Sequence, residues 1–174
     1  LETVIMREEF IYYLWENRLL NLDLKTTEGE EISVISVGNR NYNSGTDYVN
    51  ARIKIGGTLW AGQVEMHVRA SDWFRHKHQY DDNYNNVILH VVYECDTDSL
   101  KIPTLEIKDK FENEVAKIYD LPKWDWDRQI IKYLGEKYTF QENRRKYDPE
   151  TFELTKSLTV EKEMTKMDLI LAYM

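Results

Sequence analysis

Two carboxylates and a histidine stand out because they fall on neighbouring predicted strands. Asp47 enters one strand, and Glu65 and His67 lie two residues apart on the next. Gln63 is on the same face of that second strand. A glycine turn at residues 56–57 joins the strands as an antiparallel hairpin, so we expect Asp47 and Glu65 at the same end of the sheet. Two carboxylates so placed can bind a hard divalent cation such as Mg²⁺.

This arrangement resembles the PD-(D/E)XK nuclease superfamily. The αβββαβ core of that superfamily carries an Asp at the start of the second strand and a (D/E)-x-K motif on the third. Here the first motif is Gly45-Thr46-Asp47 rather than Pro-Asp, and the second is Glu65-Met66-His67, with histidine in place of lysine. The resemblance implies Mg²⁺ or Mn²⁺ as cofactor. A histidine ligand would shift the preference toward Mn²⁺ or Zn²⁺.

The same resemblance implies a set of site residues. Asp47 and Glu65 would hold the metal, and Gln63 and His67 would position or deprotonate water. Glu16, on the first predicted helix, is where some members of the superfamily carry a further acid.

A longer set of motifs resembles a bacterial family, domain of unknown function 2851. The match covers roughly residues 14–106 and rests on LW-x-N-x-L, LKTTEGE, the loop G-x-x-N-x-x-x-G-x-D ending at Asp47, NARIKI, WAGQVEMH, SDWFRHKHQYDDNYNNVILHVVYE and IPTLE. The family name carries no activity. This resemblance therefore sharpens the fold and leaves the function open.

The histidine string RHKHQYDD, residues 75–82, suggests a rival metal site. It resembles the H-x-H-x-D-H string of metallo-β-lactamase-type hydrolases, but the Asp is displaced and no histidine follows it. On a helix His76 and His78 would point about 200° apart and could not share a metal, whereas in a loop they could. The segment from residue 73 is predicted to be helical at least in its first half, which favours His76 and His78 pointing in different directions.

A mixed arrangement is also open. One of these histidines, with Asp72 or Asp81, would face the strand surface that carries Glu65 and His67. Glu16, Asp72, His76, His78 and Asp81 therefore form a secondary polar cluster of candidates. His90, inside an apolar strand, is interpreted as a hydrogen-bonded core histidine.

A further nuclease-like alternative is Asp96 or Asp98 followed by the literal E-x-K motif at residues 106–108. Pro103 weakens the strand around this motif, because proline has no amide proton for the sheet. The other interpretation is a salt-bridged edge strand.

The element order supports an α/β (α+β) fold, a restriction-endonuclease-like mixed sheet flanked by helices, with a helical C-terminal part. Residues 1–110 are predicted to form the core, and residues 111–174 a mainly helical extension packed on it. Helices are expected at 7–20, 73–84, 109–119, after Pro122 and at 151–174; strands at 22–27, 31–37, 48–55, 60–68 and 86–95, with an extended segment at 101–108.

Composition limits the function classes. The formal net charge of −8 counts against sequence-independent nucleic-acid binding over a large surface but allows a local basic groove. The single cysteine, Cys95, excludes an internal disulfide and a multi-cysteine zinc site. No apolar run of about 18 residues is present, so no membrane span is expected. A cytoplasmic location is expected.

Three functions fit these observations. The first is a metal-dependent nuclease or phosphodiesterase acting on DNA or RNA, with Arg69, Arg75 and Lys77 near phosphates. The second is a catalytically inactive binding or assembly module, favoured by the abundant Tyr and Trp, which could form a homo-oligomer through an aromatic surface or the C-terminal helix. The third is a histidine-based metal hydrolase.

Overall fold

The computed structural model describes residues 6–137. Four α-helices occur in this part of the chain: α1 (Glu8–Glu16), α2 (Asp72–Arg75), α3 (Asn113–Tyr119) and α4 (Trp126–Lys137). The strands described are β1 (Ile32–Ser36), β2 (Asn39–Arg40), β3 (Tyr48–Ile55), β4 (Thr58–Arg69), β5 (Val87–Glu94) and β6 (Thr104–Glu106). Short 3₁₀ turns lie at His78–Tyr80, Asp82–Tyr84 and Lys123–Asp125.

The strands form one mixed sheet in the order β1-β3-β4-β5-β6, with β2 also paired to β3. Antiparallel pairing joins β1, β3 and β4, and parallel pairing joins β4 to β5 and β5 to β6. The segment containing α2 connects the parallel strands β4 and β5, as parallel neighbours require. A mixed α/β fold with helices flanking the sheet is therefore confirmed.

The β3–β4 hairpin is the element that the site depends on most. Gly56 and Gly57 have φ angles of 54° and 91°, and Ile55 pairs with Thr58 across them. Two consecutive residues at positive φ favour a turn that matches the twist of the strands, and glycine adopts this conformation without steric cost. The hairpin is as predicted, and it brings the start of β3 beside the middle of β4.

The side chains of β3 do not alternate regularly at its first residues. In a regular strand Tyr48 and Ala51 would lie on opposite faces, whereas both side chains are buried, at 1% and 0% exposure. The pairing register with β4 shifts between these two residues, and Asn50 has φ of 58°. The extra residue of this bulge reverses the alternation and turns Tyr48 inward. Gly38 lies against the bulge, where a Cβ atom would come within 2.5 Å of the Val49 carbonyl oxygen.

The core lies between α1 and the sheet and along β5. The buried residues of α1 are Phe10, Ile11, Leu14 and Trp15, which recur at helical spacing. Residues 88–92 of β5 are all buried, as expected for a strand with neighbours on both sides. Strand β6 is at the edge of the sheet, one residue after Pro103, in agreement with the predicted edge strand.

Predicted and observed boundaries differ at several elements. Residues 22–27 contribute only an isolated bridge, between Lys25 and Glu31, rather than a strand. Helix α1 stops at Glu16, four residues before the predicted end. The chain divides into two compact units at Asn113 and Glu114. The predicted helix at 151–174 lies outside the described residues. Within residues 6–137, no helix is long and apolar enough to cross a membrane.

Candidate metal centre

The polar face of β4 is buried rather than solvated. Glu65 is 5% exposed and His67 is 2% exposed, and Gln63 is half-buried on the same face. Helix α1 packs on β4, and β5 pairs with its other edge. Burying an ionisable group costs several kcal/mol unless a partner compensates, so each of these side chains needs one. Their partners form two adjoining sets.

The first set, here called the carboxylate group, comprises Glu8, Asp47 and Glu65. Both carboxylate oxygens of Asp47 already accept protein hydrogen bonds: Oδ1 from the Tyr12 hydroxyl at 2.9 Å and Oδ2 from the Met66 amide at 2.9 Å. The Asp47 amide in turn donates to Glu65 Oε2 at 3.1 Å. The expectation that Asp47 and Glu65 meet at one end of the sheet is therefore confirmed.

Helix α1 presents a stripe of polar residues at four-residue spacing, Glu8, Tyr12 and Glu16. The Tyr12 hydroxyl lies 3.5 Å from Glu8 Oε2 as well as contacting Asp47, so the N-terminal end of the stripe reaches the carboxylate group. Glu16 instead accepts from the Tyr48 hydroxyl at 2.7 Å and lies 3.6 Å from the Arg40 guanidinium. The helix acid that adjoins Asp47 is thus Glu8, whereas the PD-(D/E)XK resemblance pointed to Glu16.

Crowding of these acids changes their protonation. Burial, together with the negative charge of Asp47, raises the pKa of Glu65 to about 9. Burial also raises the pKa of Asp47, opposed by the hydrogen bonds from Tyr12 and Met66. The pKa of Glu8 rises for the same reason, with Asp47 as the next cause. The group therefore favours an added positive charge, which would let all three side chains ionise.

The second set, here called the histidine cluster, comprises all four histidines of the chain. His67 lies at its centre: its Nδ1 is 2.8 Å from His90 Nε2, and its Nε2 is 3.1 Å from His76 Nδ1. His78 stacks on His67 with ring centroids 5.2 Å apart. Burial, together with the neighbouring histidines, lowers the pKa of His67 to about 2 and that of His90 to about 3. The neutral form that results is the form that binds metals.

His76 and His78 come together because the chain is not one continuous helix here. Helix α2 ends at Arg75, and Lys77 then adopts the left-handed conformation, with φ of 62° and ψ of 28°. This single residue turns the chain so that the two histidine rings lie 5.4 Å apart. The prediction that helical geometry separates the two histidines is wrong.

The two sets meet at Glu65. Its Oε1 is 3.6 Å from His67 Nε2 and 3.4 Å from His78 Nε2. One ring nitrogen each from His67, His76 and His78 fall within 4.8 Å of one another. Two ligands about 2.05 Å from a tetrahedral zinc ion lie roughly 3.4 Å apart, so separations of 3.1, 3.4 and 3.6 Å suit a shared ion.

An unpartnered atom gives a second indication of fit. His78 Nε2 is buried and has no hydrogen-bond partner, although Glu65 Oε1 is close. A buried ring nitrogen without a partner is unusual, because desolvation costs about 1–3 kcal/mol. A cation between His78 and Glu65 would satisfy both atoms. The donor set of three imidazoles and one carboxylate is typical of first-row transition metals rather than Mg²⁺.

His90 contacts His67 at the ring nitrogen that is not directed toward His76. It is fully buried and pairs in register with Glu65 across the parallel β4–β5 ladder. If His67 uses Nε2 as a ligand, its proton lies on Nδ1 and is donated to His90 Nε2. This fixes the orientation of the ligand, as a neighbouring acceptor usually does for metal-binding histidines. His90 Nδ1 then carries a proton that has no partner.

The remaining candidates have other partners. Asp72 pairs with Arg75 at 2.9 Å and helps to hold α2, and Asp81 caps the 3₁₀ turn that follows it by accepting from the Asn83 amide. In the E-x-K alternative, Glu106 accepts from the Cys95 amide, and Lys108 pairs with Glu94 at 3.1 Å. That alternative is thus a salt-bridged edge strand.

The family whose model is described as "Protein of unknown function (DUF2851)" matches residues 8–123. The chain belongs to this family. The match contains every member of the carboxylate group and of the histidine cluster. No curated protein and no solved structure matches the chain.

Proposed function

We propose that this DUF2851 protein is a hydrolase that depends on a divalent transition metal and acts on phosphodiesters. The observation that carries the proposal is the convergence of His67, His76, His78 and Glu65 Oε1 at ligand-to-ligand separations, directly beside the carboxylate group. A bound ion of this kind lowers the pKa of a water ligand and polarises a phosphoryl oxygen.

The residues around the cluster have distinct tasks in this proposal. Asp47 is held rigidly by Tyr12 and Met66, so its charge can orient a water or stabilise a proton on it without moving. Gln63 follows on the same strand face, and its Oε1 is buried without a partner, which makes it an acceptor for a water proton. His76 is exposed, so the cluster opens to solvent on that side.

Phosphodiesters are supported as the substrate class by charge and by topology. Arg69, Arg75 and Lys77 are exposed on the segment that carries the histidines, in a chain of net charge −8. The Arg75 side chain is 70% exposed even though it pairs with Asp72. The PD-(D/E)XK resemblance implies an Asp at the start of one strand beside the acid of the next, and the β3–β4 hairpin has Asp47 and Glu65 in that relation, which supports the nuclease-like proposal.

The test is hydrolysis of bis(p-nitrophenyl) phosphate and of single- and double-stranded oligonucleotides, with Mn²⁺, Zn²⁺, Co²⁺ or Mg²⁺ added to metal-stripped protein. Turnover with a transition metal is expected, and Glu65→Gln should reduce it at least about 100-fold. The matched control is Glu94→Gln, which changes an exposed glutamate on the next strand. Equal turnover in both variants, or none with any metal, would contradict the proposal.

A second candidate, binding without catalysis, is favoured by the tip of the β3–β4 hairpin. Leu59 and Trp60 are about half exposed there, at 52% and 50%. Exposed large apolar side chains of this kind are common at protein interfaces. This candidate predicts metal binding without turnover and self-association or partner binding that Trp60→Ser weakens.

A further inference from the structure

A cavity of about 410 Å³ adjoins the histidine cluster on the side of His78. Its walls are aromatic and apolar, and its rim is polar. The residues that line it include Trp73, Phe74, His78, Tyr84, Leu100 and Lys101. This volume is within the range of ligand pockets, about 300–1,000 Å³. It suits one group of nucleoside size rather than an extended polymer.

The aromatic wall is preorganised. The Tyr84 ring stacks on His78 at a centroid distance of 3.8 Å, and the Tyr84 hydroxyl donates to the Gly45 carbonyl oxygen at 3.2 Å. Trp73 contacts both rings edge-on, at 5.3 Å from His78 and 5.8 Å from Tyr84. A wall fixed in this way loses little entropy when a flat ring packs against it.

The opposite wall comes from the segment before β6. Leu100 and Ile102 are half-buried there, and Lys101 between them is exposed. The rim also carries Gln79 and Asn85, whose amides can both donate and accept hydrogen bonds. Apolar walls, an amide-bearing rim and one cation describe a site for a planar heterocycle that carries an anionic group.

We propose that this cavity binds the nucleobase of a substrate nucleotide whose phosphodiester lies at the histidine cluster. The inference rests on the proposed function, because His78 is shared between the cavity wall and the candidate metal centre. A base can enter the cavity only when it is unpaired and unstacked, so the preferred substrates are single-stranded ends or small nucleotide diesters. Stacking on aromatic side chains is sequence-tolerant and contributes to binding of single strands in general.

The experiment compares two diesters with the same leaving group. Thymidine 5′-(p-nitrophenyl phosphate) carries a base, and methyl p-nitrophenyl phosphate does not. We expect kcat/KM for the nucleoside ester to exceed that for the methyl ester by about tenfold or more in the wild-type protein. Leu100→Trp fills the cavity from a half-buried position, so the ratio should fall toward one. A ratio that stays the same in the variant would overturn the proposal.

A binding measurement separates failure of this proposal from failure of the proposed function. Adenosine 5′-monophosphate and ribose 5-phosphate are titrated into wild-type protein and Leu100→Trp by equilibrium dialysis, with and without Mn²⁺. Binding of the nucleotide but not of the sugar phosphate, lost in the variant, supports the cavity assignment even if no diester is hydrolysed. Hydrolysis of both esters without a base preference and without nucleotide binding would overturn the cavity assignment but would not contradict the proposed hydrolase function.

Discussion

The carboxylate group and the histidine cluster share Glu65, yet they satisfy their polar atoms in opposite ways. Asp47 has a protein donor on each carboxylate oxygen. In the histidine cluster, both ring nitrogens of His67 contact ring nitrogens of other histidines, and His78 Nε2 is buried without a partner. In the first set both oxygens of Asp47 already have protein donors, whereas in the second a bound cation would give the unsatisfied nitrogen of His78 a partner.

This difference favours the histidine cluster as the position of the proposed metal ion. Hard, oxygen-rich sites suit Mg²⁺, and imidazole-rich sites suit zinc, copper, iron or nickel. Because the protein itself occupies the oxygens of Asp47, the ion is expected on the histidine side, with Asp47 acting beside it. The prediction of Asp47 and Glu65 as joint metal ligands therefore becomes a proposal with Glu65 as ligand and Asp47 as its neighbour.

The largest effect is expected for His67→Ala. His67 is the centre of the cluster, so its removal takes away one ligand and separates the others. Zinc affinity should fall at least about 100-fold, measured by competition with a chromophoric chelator. Because the His67 side chain is buried, circular dichroism should be used to check that the variant is folded. His76→Ala changes an exposed position and is the second variant; it should also weaken zinc binding by at least tenfold. Unchanged affinity in both variants would contradict the histidine site.

Glu65 controls how the metal-free protein responds to pH. Its pKa is about 9 in the folded chain and is ordinarily 4.5, so between these values the folded state holds more protons than the unfolded state. Glu65 therefore makes the free energy of unfolding decrease as the pH rises, by up to about 1.4 kcal/mol per pH unit. Below about pH 7 the lowered pKa values of His67, His78 and His90 give a slope of the opposite sign, because these histidines take up protons on unfolding, so the decrease is expected from about pH 7 to 9.

The check is urea denaturation of chelator-treated protein at several pH values between 7 and 9. Glu65→Gln should remove the slope, because an amide resembles the protonated acid. Glu94→Gln should retain it, since Glu94 is 41% exposed and paired with Lys108. A slope that is the same in the wild type and in Glu65→Gln would show that the buried acid is not Glu65.

An intermediate effect is expected at His90. Replacing it with leucine removes the acceptor that orients His67, and zinc affinity should fall about 10- to 100-fold. His90→Gln restores an acceptor oxygen and should recover part of the loss. A purely structural role would instead give variants that differ in stability but bind zinc equally, which is the outcome that would contradict the orienting role.

The smallest effects on metal affinity are expected in the carboxylate group. Asp47→Asn keeps the acceptor for Tyr12 or Met66 and should change zinc affinity by a few-fold while reducing turnover about 100-fold. Glu16→Gln, at the far end of the same helix stripe, should leave both unchanged. If Asp47→Asn weakened zinc binding as strongly as His67→Ala, the ion would lie between the two carboxylates, contrary to the assignment made here.

The sequence predicted the parts of the site that depend on short-range rules. The glycine turn at 56–57 fixes the hairpin, and the hairpin fixes Asp47 beside Glu65. The parallel pairing of β4 with β5 follows from the helical crossover between them. What could not be predicted depends on single backbone angles. Asn50 reverses the alternation of β3, and Lys77 turns His78 toward His76, although neither is a glycine.

Glu8 shows a different reason why part of the site could not be predicted from the sequence. Its four-residue spacing from Tyr12 and Glu16 was visible, but the spacing does not say which end of the stripe faces Asp47. That depends on how α1 crosses β4, a tertiary contact. His90 was interpreted as a hydrogen-bonded core residue, and it is one; its partner, His67, could be identified only from the register of the parallel strands.

The most direct measurement is the metal content and ligand shell of the wild-type protein. Metal-stripped protein is loaded with zinc, desalted, and analysed by elemental analysis and X-ray absorption spectroscopy. The histidine cluster predicts one equivalent of zinc with three nitrogen ligands from imidazole and at least one oxygen ligand. Retention of no zinc, or a shell made only of oxygen, would contradict it.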